Sequence, residues 1–486
     1  MKKKYIVTIT PPTPNGDLHL GHLAGPFLAA DIMQRTLKQQ GHDVLFVTYS
    51  DDYQSYLPRK TATLNREPFD YARLMRRAMS LSLSLVGIEP DCFLQAAHHP
   101  AYRRAGEFYA GKIAGQLTYG PYKTFHCAPC DRYGYEGFGR THCNWCGTSS
   151  DASQCEHCAR VPDIHAIQEM ACISCGEKMQ EVSVPQHLWR IGENYPQVAQ
   201  ALAAQPKRPC LATWLDEVLR NEQDCWPISR PGDAGLPLDA TAQAPVHTWF
   251  LGLAGYRACV EAALEAQPER GRFSEWWAPE TALVHFLGFD CSYSHAVAYS
   301  SLLLADDTGP KPGSFFTNRF LKLDGEDFST SRGHAVWIKD LTAHYPADAI
   351  RLYSALFAPE TAVENFDRRH FADWVSSVFT PLRQLALQGE RRTAALTPEQ
   401  QLALSDSAWG DWLHASSSAH FSAAGMARSA LAWSARLQQD DAWCTSPQAW
   451  QRFAMMIAPL CPDLARDLRA RDAQALPVQE WAHEQL

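Results

Sequence analysis

Lysine is absent beyond Lys339, so the last third of this 486-residue chain is cationic through arginine alone. Its densest arginine cluster, Arg368, Arg369, Arg383, Arg391 and Arg392, reads as a solvated helix face. Acidic residues outnumber basic ones overall: the net charge is -9, which does not advertise a strong nucleic-acid binder. A local basic groove can still lie within an acidic total. No apolar run reaches the ~18 residues that a membrane span needs. The apolar stretch after Met1-Lys2-Lys3-Lys4 is too short for a secretory leader, so the expected compartment is the cytosol. Internal repeats and low-complexity tracts are missing as well. What remains is an ordinary folding composition, 46% hydrophobic and 20% charged. A chain of this length implies several cores.

Cysteine, by contrast, is plentiful. Of fifteen cysteines, eight fall in four C-x-x-C pairs: Cys127/Cys130, Cys143/Cys146, Cys155/Cys158 and Cys172/Cys175. A cytosolic setting disfavours disulfides. Two residues between thiolates allow a tight turn to place both sulfurs on one ion, and two such turns complete a tetrahedron. Eight ligands therefore predict two structural Zn2+ ions. Spacing leaves nested and sequential pairing both open.

Residues 4–10 (KYIVTIT) are β-branched and aromatic and predict a buried strand. The turn PPTPNGD follows. Apolar residues at helical spacing from Leu20 to Leu37, closed by Gly41, then predict a helix. Residues 43–49 (DVLFVTY) predict a second strand. This is a βαβ unit, whose right-handed crossover prescribes a parallel sheet. Ligands bind such sheets beyond the carboxyl ends of the strands. A third strand is expected at 282–287 with a helix from about Tyr293, so the cysteine-rich segment interrupts the sheet in sequence. Residues 361–486 read as helical. The expected fold is α/β, a Rossmann-type parallel sheet with a zinc-knuckle insertion and a C-terminal all-α domain. The divisions are 1–115 and 241–305 for the two halves of the sheet, 116–240 for the insertion, 306–360 for a loop and stem-contact region, and 361–486 for the helices.

The chemistry concentrates first at His19-Leu20-Gly21-His22, where the helix begins. A helix N-terminus offers unpaired N–H groups and a positive dipole end to phosphate. Gly16 and Gly21 clear space for a nucleotide. Histidines three apart share a helix face, so both could donate to phosphate oxygens and stabilise a pentavalent α-phosphorus.

In this context PNGDLHLGH resembles the HIGH signature of class I aminoacyl-tRNA synthetases, in the PxxNGxxHLGH form of the methionyl branch. Further matches follow in order. Ser50-Asp51-Asp52 resembles the loop whose aspartate binds the substrate ammonium, here Asp51. The cysteine pairs resemble the family's two-zinc knuckles, which implies nested pairing. Trp249 to Tyr256 resembles the W-x-D-A-P-x-G-Y segment of the methionine pocket. His285-Phe286-Leu287-Gly288-Phe289-Asp290 resembles the HFxGKD strand end, where Gly288 passes under adenosine and Asp290 takes the ribose hydroxyls. His295 matches a pocket histidine. The resemblance covers most of residues 5–360. It implies ATP (with Mg2+) and an amino acid, methionine favoured, as substrates and tRNA as the partner. It assigns Asn15, Gly16, His19, Gly21, His22, Gly288, Asp290, Ser329, Ser331 and Arg332 to ATP. Pro11, Thr13, Asp51, Trp249, Gly252, Tyr256 and His295 are assigned to the amino acid. His19, His22 and Arg332 carry the catalysis.

The chain also departs from the pattern. Residues 327–333, Asp-Phe-Ser-Thr-Ser-Arg-Gly, resemble the KMSKS loop with both lysines lost, to Asp327 and Thr330. Arg332, Lys322 or Arg319 could supply the missing cation. In the pocket, Pro11 and Thr13 stand where the family has leucine and tyrosine, and Gly252-Leu253 replaces Ala-Pro. Near the C-terminus, Trp443 resembles the anticodon-stacking tryptophan, since an aromatic ring can stack on an unpaired base. Three functions are compatible: a methionyl-type tRNA ligase, a relative that passes its adenylate to another acceptor, and a non-catalytic binding protein.

Overall fold

The computed structural model describes residues 2–151, 153–221, 224–232, 234–242, 244–328, 333–388, 407–439, 441–444 and 446–475. Its centre is a five-stranded sheet built from β1 (Lys4–Ile9), β2 (Asp43–Ser50), β3 (Cys92–Gln95), β4 (Ala282–Gly288) and β5 (Ser314–Asn318). The spatial order is β5-β4-β1-β2-β3, and every pairing is parallel. The chain leaves β1 toward β2 and β3, then returns to β1's other side as β4 and β5. The order thus switches direction at β1, and a crevice opens beyond its carboxyl end.

Side-chain alternation divides the sheet's two faces between separate cores. Val7, Ile9, Val44 and Phe46 join one apolar cluster, whereas Ile6, Leu45, Val47 and Tyr49 join the other. Helices cover both faces, which is why these strands are apolar almost throughout.

The first crossover follows the sequence reading with one difference. Helix begins at Leu20–His22, passes through a π turn at Leu23–Phe27 and continues as α1 (Leu28–Gln39). Pro26 lies within the turn and Gly25 has non-helical ψ. Proline brings no N–H and crowds the preceding turn, so the ladder shifts register there.

The insertion rises on a long antiparallel pair, Leu117–Cys127 with Gln180–Trp189. The C-terminal helices include Ala423–Gln439, Pro447–Ile457 and Pro462–Ala475. A fully buried ion pair ties them to α1. Arg351 reaches Asp31 at 2.7 Å and donates to the carbonyls of Val86, Pro459 and Leu460 at 2.8–3.0 Å. Every guanidinium nitrogen has a partner, the condition under which a buried charge is tolerated. Among the described residues, no helix is long and apolar enough to cross a membrane.

Candidate active site and metal centres

The turn after β1 places its two histidines by capping. His19 is the helix N-cap, not a residue of its first turn: its Nδ1 accepts the Gly21 N–H at 3.1 Å. His22 Nδ1 accepts the His19 N–H at 3.3 Å. This reciprocal capping box makes both Nδ1 atoms acceptors, so each ring carries its proton on Nε2. The rings lie 3.9 Å apart, centroid to centroid. Burial, then the neighbouring His22, pushes His19 down to about 2, and burial pushes His22 down to about 4. Both are thus neutral donors near neutral pH. Gly21 suits this packing, since a Cβ there would stand 3.0 Å from the His19 ring and the ring would have to give way by a few tenths of an ångström.

Two described residues at or near the segment resembling the KMSKS loop, Phe328 and Val336, touch the same turn. Leu20 N–H donates to Val336 O at 2.8 Å, and Phe328 stacks on His19 with centroids 4.7 Å apart and planes at 14°. Ser329, Ser331 and Arg332 lie outside the described residues, as do Thr330, Arg391 and Arg392. Arg319 stacks 3.9 Å over Phe289 at the end of β4. Lys322 lies in strand register with Asp327.

Asp51 follows β2 and is 5% exposed. Its Oδ1 accepts from the Thr248 hydroxyl and its Oδ2 from Gln54 Nε2 at 2.7 Å. Its backbone N–H holds Pro12 O at 3.0 Å, which fixes the Pro11–Thr13 turn beside it. Burial raises its carboxyl to about 7 against the pull of the Thr248 and Gln54 bonds. Asn15 N–H donates to Thr13 O at 2.8 Å, closing the turn that presents Gly16. On α2 (Thr248–Ala266), Trp249 is half-buried. The carbonyl of Gly252 accepts from the Tyr49 hydroxyl. Tyr256 and His295 are joined by a 2.8 Å bond between the phenol and Nε2. Gly288 ends β4, and Asp290 follows with a carboxyl raised to about 7, chiefly by burial and secondarily by Glu156.

The eight paired cysteines form two groups, and the grouping is nested. Cys127, Cys130, Cys172 and Cys175 make an outer site; Cys143, Cys146, Cys155 and Cys158 make an inner one. Within each group the ligand atoms lie within 4.8 Å of one another. Sulfurs stand 3.5 Å apart across the outer site and 3.6–3.7 Å across the inner one. Four thiolates at about 2.3 Å from a tetrahedral zinc would lie about 3.8 Å apart, so both sets fit that ion. Each second cysteine precedes a residue with left-handed backbone: Asp131, Gly147, Ala159 and Gly176. Two of the four are glycine, which takes that conformation without strain.

Several contacts at the site carry little sequence signal. Asp151 accepts from Tyr56 OH at 2.7 Å, Gln154 Nε2 donates to Asp290 O, and Gly137 N–H donates to Ser55 Oγ at 2.9 Å. The inner knuckle therefore docks on the crevice. Thr248 and Gln54, which orient Asp51, are short polar residues beside motif positions, and that adjacency is the one hint the sequence offers.

Trp443 requires a correction. It is 4% exposed, packed 4.5 Å from Trp433 and covered by Arg436. The ring belongs to the helical core and presents no face to a base.

A parallel sheet that switches direction beside a histidine-capped helix defines an open, doubly wound α/β fold. Comparison with known proteins narrows the class. The family described as "tRNA synthetases class I (M)" matches residues 5–380, and the chain belongs to that family. It is 26% identical over 363 residues to the methionine–tRNA ligase of Methanocaldococcus jannaschii, covering 73% of this chain and 54% of that relative. It is 27% identical over 378 residues to that of Thermomicrobium roseum, covering 74% and 63%. The chain thus spans little more than half the length of several of the curated relatives it matches. A solved structure of Mycobacterium tuberculosis methionyl-tRNA synthetase in complex with methionyl-adenylate superposes with a TM-score of 0.72 at 17% identity, covering 98% of this chain and 96% of that one. That likeness establishes a shared fold.

Proposed function

We propose that the chain uses ATP to activate methionine or a similar amino acid as the aminoacyl adenylate and transfers it to tRNA, in the cytosol. The observation that carries this reading is the pair of neutral imidazoles, each holding its proton on Nε2 at the head of the first crossover helix. In this reading a carboxylate oxygen of the amino acid attacks the α-phosphorus. The bond to the bridging oxygen breaks and pyrophosphate leaves. His19 and His22 donate from Nε2 to the α-phosphoryl oxygens as charge builds. Asn15, Gly16 and Gly21 form the turn that admits ATP with its Mg2+. Gly288 and Asp290 flank the nucleoside, and Ser329, Ser331 and Arg332 complete the phosphate contacts. Asp51 binds the ammonium, with Pro11, Thr13, Trp249, Gly252, Tyr256 and His295 around the side chain. Zn2+ at the two cysteine sites would be structural, holding the knuckles closed. The division at 1–115, 116–240, 241–305, 306–360 and 361–486 follows these roles.

A second reading keeps the adenylate and changes the acceptor. The loss of both loop lysines, to Asp327 and Thr330, and the burial of Trp443 favour it. Amino-acid-dependent ATP–pyrophosphate exchange tests the first step. Wild type is expected to exchange, and His19→Ala and His22→Ala are each expected to lose about 10²–10³-fold, the effect of one preorganised donor. Silence of the wild type with all amino acids would end the reading. Charging of bulk tRNA with methionine then separates the two acceptors.

A further inference from the structure

The helix that carries Thr248 and Trp249 begins on a histidine that the reaction above does not use. His247 is the N-cap of α2, and its Nδ1 accepts the Trp249 N–H at 3.2 Å. Its Nε2 lies 2.7 Å from the carbonyl of Pro227, which can only accept. His247 therefore carries its proton on Nε2 and donates it there, while the unprotonated Nδ1 does the capping. Burial, then the nearby Arg230, holds the ring well below the usual histidine range, so this neutral tautomer is the one present near neutral pH. His247 is 2% exposed. Glu136 Oε1 stands 3.9 Å from Nδ1, beyond hydrogen-bond reach.

Capping by itself does not call for histidine, since serine, threonine, asparagine and aspartate cap helices with shorter side chains. Those side chains serve the first turn alone. The imidazole reaches two backbone groups on opposite sides, the first turn of α2 and the strand Trp226–Pro227. That strand pairs with Gln180–Trp189, Trp226 opposite Trp189, and so belongs to the sheet of the insertion. The backbone repeats the link: His247 N–H donates to Ile228 O at 2.9 Å, and Ser229 bridges to Val246. Directly after His247, the buried Thr248 hydroxyl donates to Asp51 Oδ1. Thr248 thus stands where the insertion, α2 and the end of β2 meet.

We infer that His247 is a positioning residue for amino-acid binding: it braces the first turn of α2 against the Pro227 carbonyl, and this holds the Thr248 hydroxyl on Asp51, the carboxylate that grips the substrate ammonium. The inference rests on the reading of Asp51 as the ammonium site and adds the two residues behind it. A hydrogen bond to an ionised group changes binding about ten- to a hundredfold. In that reading Asp51 meets the amino acid and not the nucleotide, so the effect falls on the amino acid alone.

The test is ATP–pyrophosphate exchange with L-methionine, with both substrates varied. Thr248→Val is expected to raise the KM for methionine about tenfold or more, with kcat and the KM for ATP within about threefold of wild type. His247→Ala should show the same pattern. The double variant should be no more than about threefold worse than the poorer single one, because both changes act on one bond. His247→Asn keeps an acceptor for the Trp249 N–H and gives up the bond to Pro227, so its KM should fall between wild type and His247→Ala. An unaltered methionine KM in His247→Ala would overturn the inference. So would additive losses in the double variant, or an equal rise in the KM for ATP, the mark of general loosening. If His247→Ala fails to fold, His247→Asn takes its place in the cycle, with a methionine KM at least threefold above wild type expected and the same outcomes decisive. Calorimetric titration with L-methionine in the absence of ATP reads binding without chemistry. Should the wild type bind methionine but not exchange, activation fails, and a weaker Kd in the His247 variant still supports the positioning role; an unaltered Kd overturns it. A wild type that neither exchanges nor binds methionine overturns both.

Discussion

Both four-cysteine sites are built from the same C-x-x-C turns, yet the inner one closes on the crevice and the outer one closes on itself. Around the outer site, Phe125, Ile164, Ile167, Met170 and Met179 make a small apolar cluster of their own. Around the inner site, Ala159 and Val161 join the core that also holds Ile6 and Val47 of the central sheet. Trp214 Nε1 donates to Cys158 O at 2.8 Å, and Asp151 and Gln154 reach Tyr56 and Asp290. Identical ligand chemistry therefore serves two ends. One site holds a hairpin tip together; the other positions a wall of the crevice. A metal can be structural in coordination and still be coupled to catalysis through what its loop touches.

The largest expected effect breaks this comparison directly. Structural zinc in small modules stabilises by about 10–16 kcal/mol at neutral pH, so losing one ligand should release its loop. Cys155→Ser is expected to reduce ATP–pyrophosphate exchange at least a hundredfold, with zinc content falling from two to one. Cys175→Ser should lower zinc content equally and leave exchange within about threefold. Equal losses from the two variants would show that the outer site is coupled to the crevice as well.

How much of this was legible beforehand follows from the range of each interaction. β1, α1 and β2 declare themselves because alternation and helical spacing are local, and the buried faces leave few polar exceptions. The cysteine pairs are equally local. Their nesting is not, because it depends on how Leu117–Cys127 and Gln180–Trp189 pair across 50 or more intervening residues. The seam formed by Tyr56, Asp151, Gln154 and Asp290 joins three distant segments, and none of these residues stands out by type. The capping box of His19 and His22 was within reach, since both positions were known. A shared helix face was the simpler expectation, and it missed that His19 precedes the helix and uses its ring to close it. Trp443 misled for a physical reason: stacking on a base and packing in a core both select a large flat apolar ring.

A smaller effect sharpens the comparison through pH. Glu136 lies on the inner seam, 2% exposed. Burial raises its carboxyl from 4.5 to about 7 against the pull of Arg230. Between these values the unfolded chain has lost its proton while the folded chain keeps it. The unfolded state then binds fewer protons, and stability falls as pH rises. The loss amounts to about 3 kcal/mol, complete above pH 7. Denaturant melts from pH 4.5 to 7.5 should show this decline, and Glu136→Gln should flatten part of it. A Glu136→Gln variant with the wild-type slope would show that the seam does not hold the proton. Asp51 titrates in the same window with a different readout. Raised to about 7 by burial, it must be ionised to bind an ammonium. kcat/KM for the amino acid should therefore fall about tenfold per unit below pH 7, while variants of the outer knuckle keep that profile.

The smallest expected effect separates docking from metal binding. Gln154→Ala removes one donor to Asp290 O and leaves all four inner thiols in place. A single hydrogen bond to a neutral carbonyl contributes about 0.5–1.5 kcal/mol. The KM for ATP should therefore rise about three- to tenfold with zinc content still two. Tyr56→Phe frees one oxygen of Asp151, whose other oxygen keeps the Ser153 and Gln154 N–H groups at 2.8 Å, and should act in the same direction and range. If both variants left the KM for ATP at the wild-type value while Cys155→Ser abolished exchange, the inner metal would act through overall folding of the insertion. If both raised it, the knuckle acts through where its loop rests, and the difference between the two sites is one of position, not of coordination.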